Sequence, residues 1–587
     1  MDSYIREIIT LQIGHYSNFI GSHWLNLQEA SFVYNESQPT DINHDYLFRE
    51  GKLLNNEILY TPRLLIIDAK GSLCSLPQSG MLYEPPLVNV SSSQALWSGN
   101  VHVVNQIPEE KNEYQRFLQM QDAKYVENLD EDKDVCSDES TSTPNCEKSK
   151  KVFDLSNKVK VWSDFLRPHL HHKTIYLMRE ICHQDNTSVA KEDDVKIGWS
   201  FQEGIAAMKR QDTNEEICDR IRLLSESSGS LQGFHLLCDG HDGMGGVGAM
   251  VAEHLADEYT SKELFSFVSN PPHYKPQTLT EHASFLTNTI QCYTELSKHS
   301  SVLLPLNLRS NWSDPSSEVV RWPFLSYRAI NPYESSSIFA SFMDTITVPW
   351  RTKNNPVSMS YVSNMLTPVQ RKIIGGALAF PIGLEENSSL NDWFSANEER
   401  EIYNKIGLNP VGGGYNLNAP KIAEIYAVRG INSNMLERVN FPKKRMKFAN
   451  AWQLFEHYLT KTDNSNQRRV QRLVSGVRDS LTTTAPFPQI FSKDVNCDGL
   501  IKSSNENIRS LVEMVPSAAN IYQGEGIGHN LRKILEVGRK INIVKLPEVF
   551  NGLMEKEVWD SSLEEFLQLT NAYEDKKFIS NEDSDSD

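Results

Sequence analysis

The sequence predicts an α/β protein whose first and largest part is built on a parallel sheet. Short apolar runs with β-strand character alternate with helical patterns along this part of the chain. Two of the runs, 64–68 and 234–239, end in an aspartate, and the second leads directly into a glycine-rich loop and a helix. Because 587 residues exceed the size of one ordinary core, we expect roughly two to four domains.

The chain opens with a strand that turns directly into a helix. Apolar residues before Gly14 predict the strand, and Ile20, Trp24 and Leu27, spaced i, i+4 and i+7, predict an amphipathic helix. In α/β folds phosphates bind at such a junction, because the start of the helix offers backbone N–H groups. The alternative interpretation is a tight turn without a ligand.

Two further elements complete the predicted first domain. The run 301–307 predicts a buried strand, and 333–350 predicts a helix with one apolar stripe. We expect Ser335–Ser337 to cap this helix and Pro349 to end it.

Beyond about residue 350 the pattern is more mixed. Helices are predicted at 398–407 and 450–459, and the segment 505–572 is predicted to be largely helical. Within that segment, 558–573 has the pattern of a capped amphipathic helix.

These patterns predict three folded units and two disordered acidic segments. The segment 127–151 is acidic, rich in Ser and Thr and poor in large apolar residues, which is typical of a disordered insertion. The remaining units are a domain at 1–350, a smaller α+β domain at 351–500, a helical region at 501–575 and a disordered acidic tail at 576–587.

Composition excludes several classes of protein. A net charge of −18 argues against a general nucleic-acid binder, and the basic run 442–448 is typical of a solvated loop. The eight cysteines contain no C-x-x-C pair, so neither a zinc ribbon nor a thioredoxin-like site is predicted. The longest apolar run, 373–384, is short and interrupted by Gly and Pro, so we expect no transmembrane segment. We therefore expect a reduced, cytosolic protein with at most peripheral membrane association.

The loop after 234–239 can approach an anion closely. Its glycines allow backbone N–H groups to point at a phosphate, and a helix N-terminus follows. The loop matches neither G-x-x-x-x-G-K-[ST] nor a regular G-x-G-x-x-G, so a tight strand–helix turn is an equally good interpretation. The glycines in question are Gly243, Gly245, Gly246 and Gly248.

The order of these motifs resembles the tubulin/FtsZ superfamily, and most closely the Misato family of divergent tubulin-like proteins. The stretch 6–24 is similar to the first strand, phosphate loop and helix of tubulins, and 60–73 to their Y-x-P-R stretch before a strand and an acid. LQGF at 231–234 precedes the glycine-rich loop as in tubulins, whereas 161–172 is similar to Misato proteins alone. The resemblance covers about residues 1–350. It implies a tubulin-like nucleotide-binding domain with a parallel sheet, a smaller α+β domain and C-terminal helices.

The resemblance also implies a site for GTP with magnesium. Asp68 stands where tubulins hold the metal and phosphate, Asn307 where they contact the guanine or ribose, and Tyr333 where they stack on the base. Ser337 replaces a second asparagine of the base site. The positions that match the phosphate loops are Gln12, Gly14, His15 and Tyr16, together with Gly243, Gly245, Gly246 and Gly248. Without a ligand, Tyr333 is a core aromatic, Asn307 a turn residue and Gly14 a tight turn.

Several residues depart from the tubulin pattern. Tyr16 is bulky where tubulins have a small residue, and Lys70 reverses the charge of an expected acid. His241 and Asp242 place an acid beside the expected phosphates, which opposes anion binding unless a metal intervenes. Ser360 stands near the place of the hydrolytic acid, and 354–368 contains no carboxylate. We therefore expect neither efficient hydrolysis nor tubulin-type filaments.

Membership of the Misato family would imply a regulator of mitochondrial distribution and morphology, including network fusion, that is peripheral at the mitochondrial outer membrane. Outer-membrane proteins are then the expected partners, with tubulin or cytoskeletal and spindle factors as further candidates. The chain is on this interpretation either a GTP-binding switch or weak GTPase, or an interaction scaffold with a vestigial pocket. A metal-dependent hydrolase is a lesser alternative, based on His169, His171 and His172 with the pair 241–242.

Overall fold

The computed structural model describes thirteen main ranges of the chain and a few single positions between them. The predicted acidic segments 127–151 and 576–587 lie outside these residues, as do positions 398–405 of the predicted helix 398–407. In the predicted helix 450–459 only positions 453, 455–457 and 459 are described, and all of them are helical. The described ranges are 6–33, 40–52, 58–80, 111–121, 153–182, 200–272, 278–368, 371–386, 406–412, 419–431, 470–502, 511–545 and 554–573.

The described elements alternate between strands and helices as the sequence predicts for the first domain. The strands are β1 (Ile8–Ile13), β2 (Phe48–Lys52), β3 (Ile58–Pro62), β4 (Leu64–Lys70), β5 (Ile175–Cys182), β6 (Gly233–Asp239), β7 (Glu263–Ser269), β8 (Val302–Leu306), β9 (Gly375–Ala379), β10 (Asn409–Pro410), β11 (Lys421–Arg429), β12 (Gln471–Val477), β13 (Leu481–Thr482), β14 (Met514–Val515) and β15 (Ser517–Gly524). The helices are α1 (His15–Ala30), α2 (Phe201–Met208), α3 (Gln211–Glu226), α4 (Met244–Glu258), α5 (Leu279–His299), α6 (Pro332–Ile346), α7 (Met359–Leu366), α8 (Glu525–Gly538) and α9 (Lys556–Asn571).

The main sheet has six parallel strands in the order β5-β4-β1-β6-β7-β8. Alternate residues of β1 enter different cores, because successive side chains of a strand point to opposite faces. Ile8 packs in the core that contains Trp24 of α1 and Phe342 of α6. Ile9 packs in the core that contains residues of α2, α4, α5, α8 and α9, such as Trp559. Helices therefore cover both faces, and the predicted parallel α/β fold is confirmed.

A second sheet has the order β10-β9-β15-β11-β12. β15 lies antiparallel between β9 and β11, and β12 is parallel to β11. The prediction that 505–572 is largely helical is wrong for 514–524, which form β14 and β15. Every residue of β15 is buried, so it lacks the apolar–polar alternation that distinguishes a strand from a buried helix segment.

The helix α6 begins earlier and ends earlier than the sequence predicts. Asn331 caps it, because its side chain accepts a hydrogen bond from the Tyr333 N–H at 3.1 Å, and Pro332 occupies the first helical position. The predicted cap at Ser335–Ser337 is therefore wrong. The helix ends at Ile346, and a 3-10 turn at Val348–Trp350 follows. Likewise α9 spans 556–571 without a side-chain capping hydrogen bond.

A buried ion-pair group joins the helices α1 and α6 to the second sheet. Asp344 of α6 accepts hydrogen bonds from Arg351 at 2.9 Å, from Arg429 of β11 and from the Trp24 indole at 3.2 Å. All three charged side chains are almost fully buried. Because a buried charge needs its partners, this group fixes how α1, α6 and the second sheet pack together.

Candidate functional site

The carboxyl ends of the three central strands meet at one edge of the main sheet. Ile13 of β1 is paired with Ile67 of β4 and with Cys238 of β6. In the sheet, β4 lies on one side of β1 and β6 on the other, so the connections of the chain diverge at this point. Open α/β sheets bind ligands at the carboxyl ends of strands where the connections diverge. We call residues 14–17, Asp68 and the loop 239–243 the strand-end site.

The buried carboxylate of Asp239 closes the N-terminus of α1. One oxygen accepts from the Tyr16 N–H at 2.9 Å, and the other from the Ser17 N–H at 2.8 Å, the Ser17 hydroxyl at 2.7 Å and the Ser269 hydroxyl at 2.6 Å. Gly14 permits this contact, since it has a φ of 106° and an added Cβ would lie 2.5 Å from the carboxylate. The N–H groups that a phosphate would use are thus bonded to the chain's own carboxylate.

Asp68 is fully buried and also surrounded by donors. One oxygen accepts from the Trp162 indole at 2.8 Å and the Asn18 amide at 2.9 Å, and lies 3.2 Å from His15 Nδ1; the other accepts from the Ala69 N–H at 2.7 Å. Burial alone would raise the pKa of this carboxyl. His15 and the hydrogen bonds outweigh burial and hold the pKa of Asp68 below its usual value.

The glycines expected to cradle phosphate allow α4 to pack tightly. Since α4 begins at Met244, three of the four lie in its first turns. A Cβ on Gly246 would lie 2.1 Å from the carbonyl oxygen of Phe201, and one on Gly248 would lie 2.4 Å from Cys238 Sγ. Close approach of neighbouring elements thus explains these two glycines without a ligand. In chain order the four are Gly243 before the helix and Gly245, Gly246 and Gly248 within it.

Asp242 occupies the N-terminus of α4 as Asp239 occupies that of α1. Its carboxylate accepts from the Met244 N–H at 2.9 Å, and its other oxygen lies 3.8 Å from His241 Nε2. Burial, and then the negative charges of Asp239 and Asp68, outweigh the attraction of His241 and raise the pKa of Asp242 to about 6. Two helix N-termini at this edge therefore carry internal carboxylates.

Tyr333, the expected base-stacking residue, is buried inside the protein. Its ring centroid lies 5.1 Å from those of both His23 and Phe165, and its hydroxyl donates to the Pro486 carbonyl at 2.5 Å. Burial raises the pKa of the Tyr333 hydroxyl well above its usual value. The interpretation of Tyr333 as a core aromatic is confirmed, and its contact with a base stays a prediction.

The other residues expected to contact the base have structural partners. Asn307 is buried at the end of β8, where its side-chain oxygen accepts from the Arg309 N–H at 2.8 Å, as in a turn. Ser337 is buried in α6 and donates to the Glu334 carbonyl at 2.7 Å. β8 is two strands beyond β6, so Asn307 lies towards the edge of the sheet and away from Asp68.

Gln12 lies one layer below the strand-end site. Its side chain is fully buried, and an added Cβ on Gly21 of α1 would lie 2.1 Å from it. Gly21 therefore allows α1 to cross β1 closely. The structure thus brings together His15, Tyr16, Asp68 and the glycine-rich loop, and it places Gln12 beneath them in the core.

Sequence reasoning missed the aromatic segment that covers this site. Trp162 binds Asp68, and Phe165 packs 4.3 Å from His23 and 5.7 Å from Phe19, measured between ring centroids. Both aromatics are fully buried. The segment 161–172 stood out as similar to Misato proteins, and its two large aromatics were the available signal for burial.

The region expected to carry hydrolytic chemistry lies elsewhere. Ser360 is exposed on α7, whose first residue, Met359, donates to the side chain of Gln232 at 3.3 Å, next to the amino end of β6. It is therefore at the opposite edge of the sheet from Asp68. Lys70 is exposed at the end of β4, which agrees with a solvated side chain.

The histidine run behind the hydrolase alternative does not gather three ligands in the part of the chain that the structure describes. The ring centroids of His171 and His172 lie 4.1 Å apart, with the two rings tilted by 39°. Burial and then His172 lower the pKa of His171 to about 4. Among the described residues, three ligand atoms come together instead at Asp239, His241 and Asp242, all within 4.8 Å. In the same residues, no helix is both long and apolar enough to cross a membrane.

Comparisons with known proteins agree with this architecture. A family model described as the Misato Segment II tubulin-like domain matches residues 6–120, and one described as a tubulin domain matches residues 154–352. Protein misato homolog 1 of Danio rerio is 28% identical over the whole of both chains. Protein misato of Drosophila melanogaster is 28% identical over 98% of this chain and 100% of its own. Protein misato homolog 1 of Homo sapiens is 32% identical over 66% of this chain and 67% of its own. The sheet order, the strand-end site and these matches together show that the chain belongs to the Misato family of tubulin-like proteins.

Proposed function

We propose that this chain is a tubulin-derived interaction scaffold that regulates mitochondrial distribution and morphology, including network fusion, without efficient nucleotide hydrolysis. Family membership supports the mitochondrial part of this proposal. The scaffold part rests on one observation, which is that the chain's own carboxylates occupy the helix N-termini at the strand-end site.

Electrostatics explain why this arrangement disfavours a phosphate. Helix N-termini bind phosphate through N–H groups and the positive end of the helix dipole. Here a phosphate would have to displace Asp239, which is buried and accepts four hydrogen bonds. It would also approach Asp68 and Asp242, so like charges would repel it. The residues present therefore do not fit a nucleotide phosphate in this conformation.

The base side of the site leads to the same proposal. Trp162 and Phe165 fill the space between Asp68, α1 and Tyr333. Binding of GTP with magnesium stays a prediction of the family resemblance, and it requires the segment 161–166 to leave this position. In the scaffold account the segment stays, and its aromatic side chains stabilise the fold.

The absence of a hydrolytic acid supports the lack of turnover. Tubulin-type hydrolysis needs a group that positions water, and 354–368 contains no carboxylate. Ser360, near the expected place, carries a hydroxyl and is exposed. The proposed site of action is the cytosolic surface of the mitochondrial outer membrane, with outer-membrane proteins as partners and cytoskeletal proteins as further candidates.

The test combines hydrolysis with complementation in cells. GTP hydrolysis is measured for the purified wild-type protein, for Ser360→Glu, which restores an acid, and for Asn364→Glu, a control at an exposed position on the same helix. We expect all three proteins to match the rate without protein. In cells depleted of the endogenous protein, we expect wild type and Ser360→Glu to restore mitochondrial distribution equally. Hydrolysis by wild type, or failure of wild type to restore the network, would contradict the proposal.

A further inference from the structure

Three carboxylates, those of Asp68, Asp239 and Asp242, lie at the strand-end site. The charged groups that act on the pKa of Asp242, after burial, are His241, Asp239 and Asp68, which is one imidazole against two carboxylates. Asp68 is likewise influenced by an imidazole, that of His15. Carboxylates outnumber the imidazoles among these groups, so this edge of the sheet attracts positive charge.

Three of these side chains have metal-ligand geometry. One ligand atom each from Asp239, His241 and Asp242 lies within 4.8 Å of the others. Asp239 Oδ2 accepts a hydrogen bond from the Tyr16 N–H, and Asp242 Oδ1 accepts one from the Met244 N–H. Each carboxylate oxygen has two lone pairs, so both side chains retain capacity for a metal ion.

The turn that carries these ligands is held in place. Asp239 is the last residue of β6, and α4 begins two residues after Asp242. Asn288 of α5 donates to the His241 carbonyl at 2.9 Å, which fixes the middle of the turn. A site on fixed elements loses little conformational freedom when it binds a metal.

The buried side chain of Asn270 provides an independent observation, because its oxygen has no hydrogen-bond partner among the described residues. The Asn270 amide nitrogen donates to the Tyr293 hydroxyl at 3.0 Å. The Asn270 side-chain oxygen lies 3.3 Å from the position that a Cβ added to Gly240 would occupy. Gly240 stands between Asp239 and His241 in the sequence.

A second buried amide lies on the other side of the site. Asn18 is fully buried, and its nitrogen donates to Asp68 at 2.9 Å. Its oxygen also has no hydrogen-bond partner among the described residues. Buried amide oxygens are normally paired, so the unpaired oxygen of Asn270 beside the turn indicates a missing cation or cation-bound water there, and that of Asn18 indicates a further missing partner next to Asp68.

We propose that Asp239, His241 and Asp242 bind a divalent transition-metal ion of the manganese or zinc class. Two carboxylates and an imidazole suit such ions, whereas magnesium prefers oxygen ligands alone. The ion neutralises the turn and links β6 to the starts of α1 and α4. The ligands of this site differ from Asp68, to which the tubulin resemblance assigns a nucleotide-bound magnesium, and the site does not depend on the proposed scaffold function.

The test uses the full-length protein after metal removal with a chelator and in the absence of nucleotide. Manganese and cobalt serve as probes, because exposed thiols such as that of Cys497 bind zinc readily. We expect one manganese ion per chain by titration calorimetry, a higher melting temperature with metal, and a visible cobalt spectrum. His241→Gln and Asp242→Asn should each weaken manganese binding at least about tenfold and change the cobalt spectrum.

The control is His172→Gln, which removes an exposed histidine just before the amino end of β5, away from the strand-end site. Its manganese affinity should equal that of wild type. The melting temperatures of all metal-free variants are measured first, so that loss of binding is not mistaken for loss of folding. The proposal is overturned if wild type binds no manganese or cobalt at millimolar concentration. It is also overturned if both site variants bind as wild type does, or if His172→Gln abolishes binding.

Discussion

Replacing Asp239 with asparagine should destabilise the protein much more than the same change three residues later. The asparagine oxygen can still accept from Ser17 and Ser269, but its NH₂ group then faces the Tyr16 N–H, 2.9 Å away in wild type. A buried N–H without an acceptor costs about 1–3 kcal/mol, and weaker neutral hydrogen bonds cost about 1 kcal/mol more. Loss of the charge at the helix N-terminus adds about 0.3–1 kcal/mol. We therefore expect a loss of about 3 kcal/mol.

Asp242→Asn is the matched control. Asp242 accepts one backbone hydrogen bond and its side chain is 33% exposed, and asparagine caps a helix as well as aspartate does. We expect no loss of stability, because asparagine keeps this hydrogen bond and removes a negative charge that burial and the neighbouring Asp239 and Asp68 disfavour. Urea unfolding, followed by tryptophan fluorescence and circular dichroism, gives the midpoints of wild type and both variants. If Asp239→Asn were no less stable than Asp242→Asn, Asp239 would not be closing the N-terminus of α1 as we describe.

Two further predictions concern the core. Asp344→Asn leaves Arg351 and Arg429 buried without their counter-charge, so it should cost about 3–5 kcal/mol and increase proteolysis of the native protein. An unchanged unfolding midpoint would show that this group does not hold α6 against the second sheet. His23 and His235 are buried, and burial lowers the pKa of each from 6.5 to about 3. Below pH 6.5 the two histidines therefore bind protons in the unfolded chain but not in the folded chain. The free energy of unfolding consequently falls as the pH is lowered from 6.5 towards 3. Each histidine should remove about 2 kcal/mol at pH 5 relative to pH 7.5, and His235→Leu should show a smaller loss; equal losses in wild type and variant would contradict this.

Local sequence patterns were sufficient for the elements that carry the strand-end site. The junction at Gly14, the strand that ends in Asp68 and the strand that ends in Asp239 all have the predicted form. An apolar run that ends in an acid or a glycine is a local signal, because it depends on a few neighbouring residues. Such a strand can therefore be predicted without knowledge of its long-range contacts. The helix α6 was predicted for the same reason, although its cap was placed too late.

Long-range contacts decided the rest and are invisible to local reasoning. Asp239 and Tyr16 are 223 residues apart, and Asp68 and Trp162 are 94 residues apart. Nothing near Asp239 indicates that its partner is a backbone N–H instead of a phosphate. The strand at 517–524 was missed because both its faces are buried, which removes the period-two signal of a half-buried strand.

The central claim is that internal side chains occupy the place where the tubulin resemblance implies a nucleotide. Equilibrium binding of GTP, GDP and ATP to the purified wild-type protein, in the presence of magnesium, tests it most directly. The account predicts no guanine-selective binding at millimolar nucleotide. Guanine-selective binding at micromolar concentration, lost in both Asp68→Ala and Tyr333→Ala while each variant stays folded, would contradict it. That result would mean that Asp239 and the segment 161–166 give way to a nucleotide.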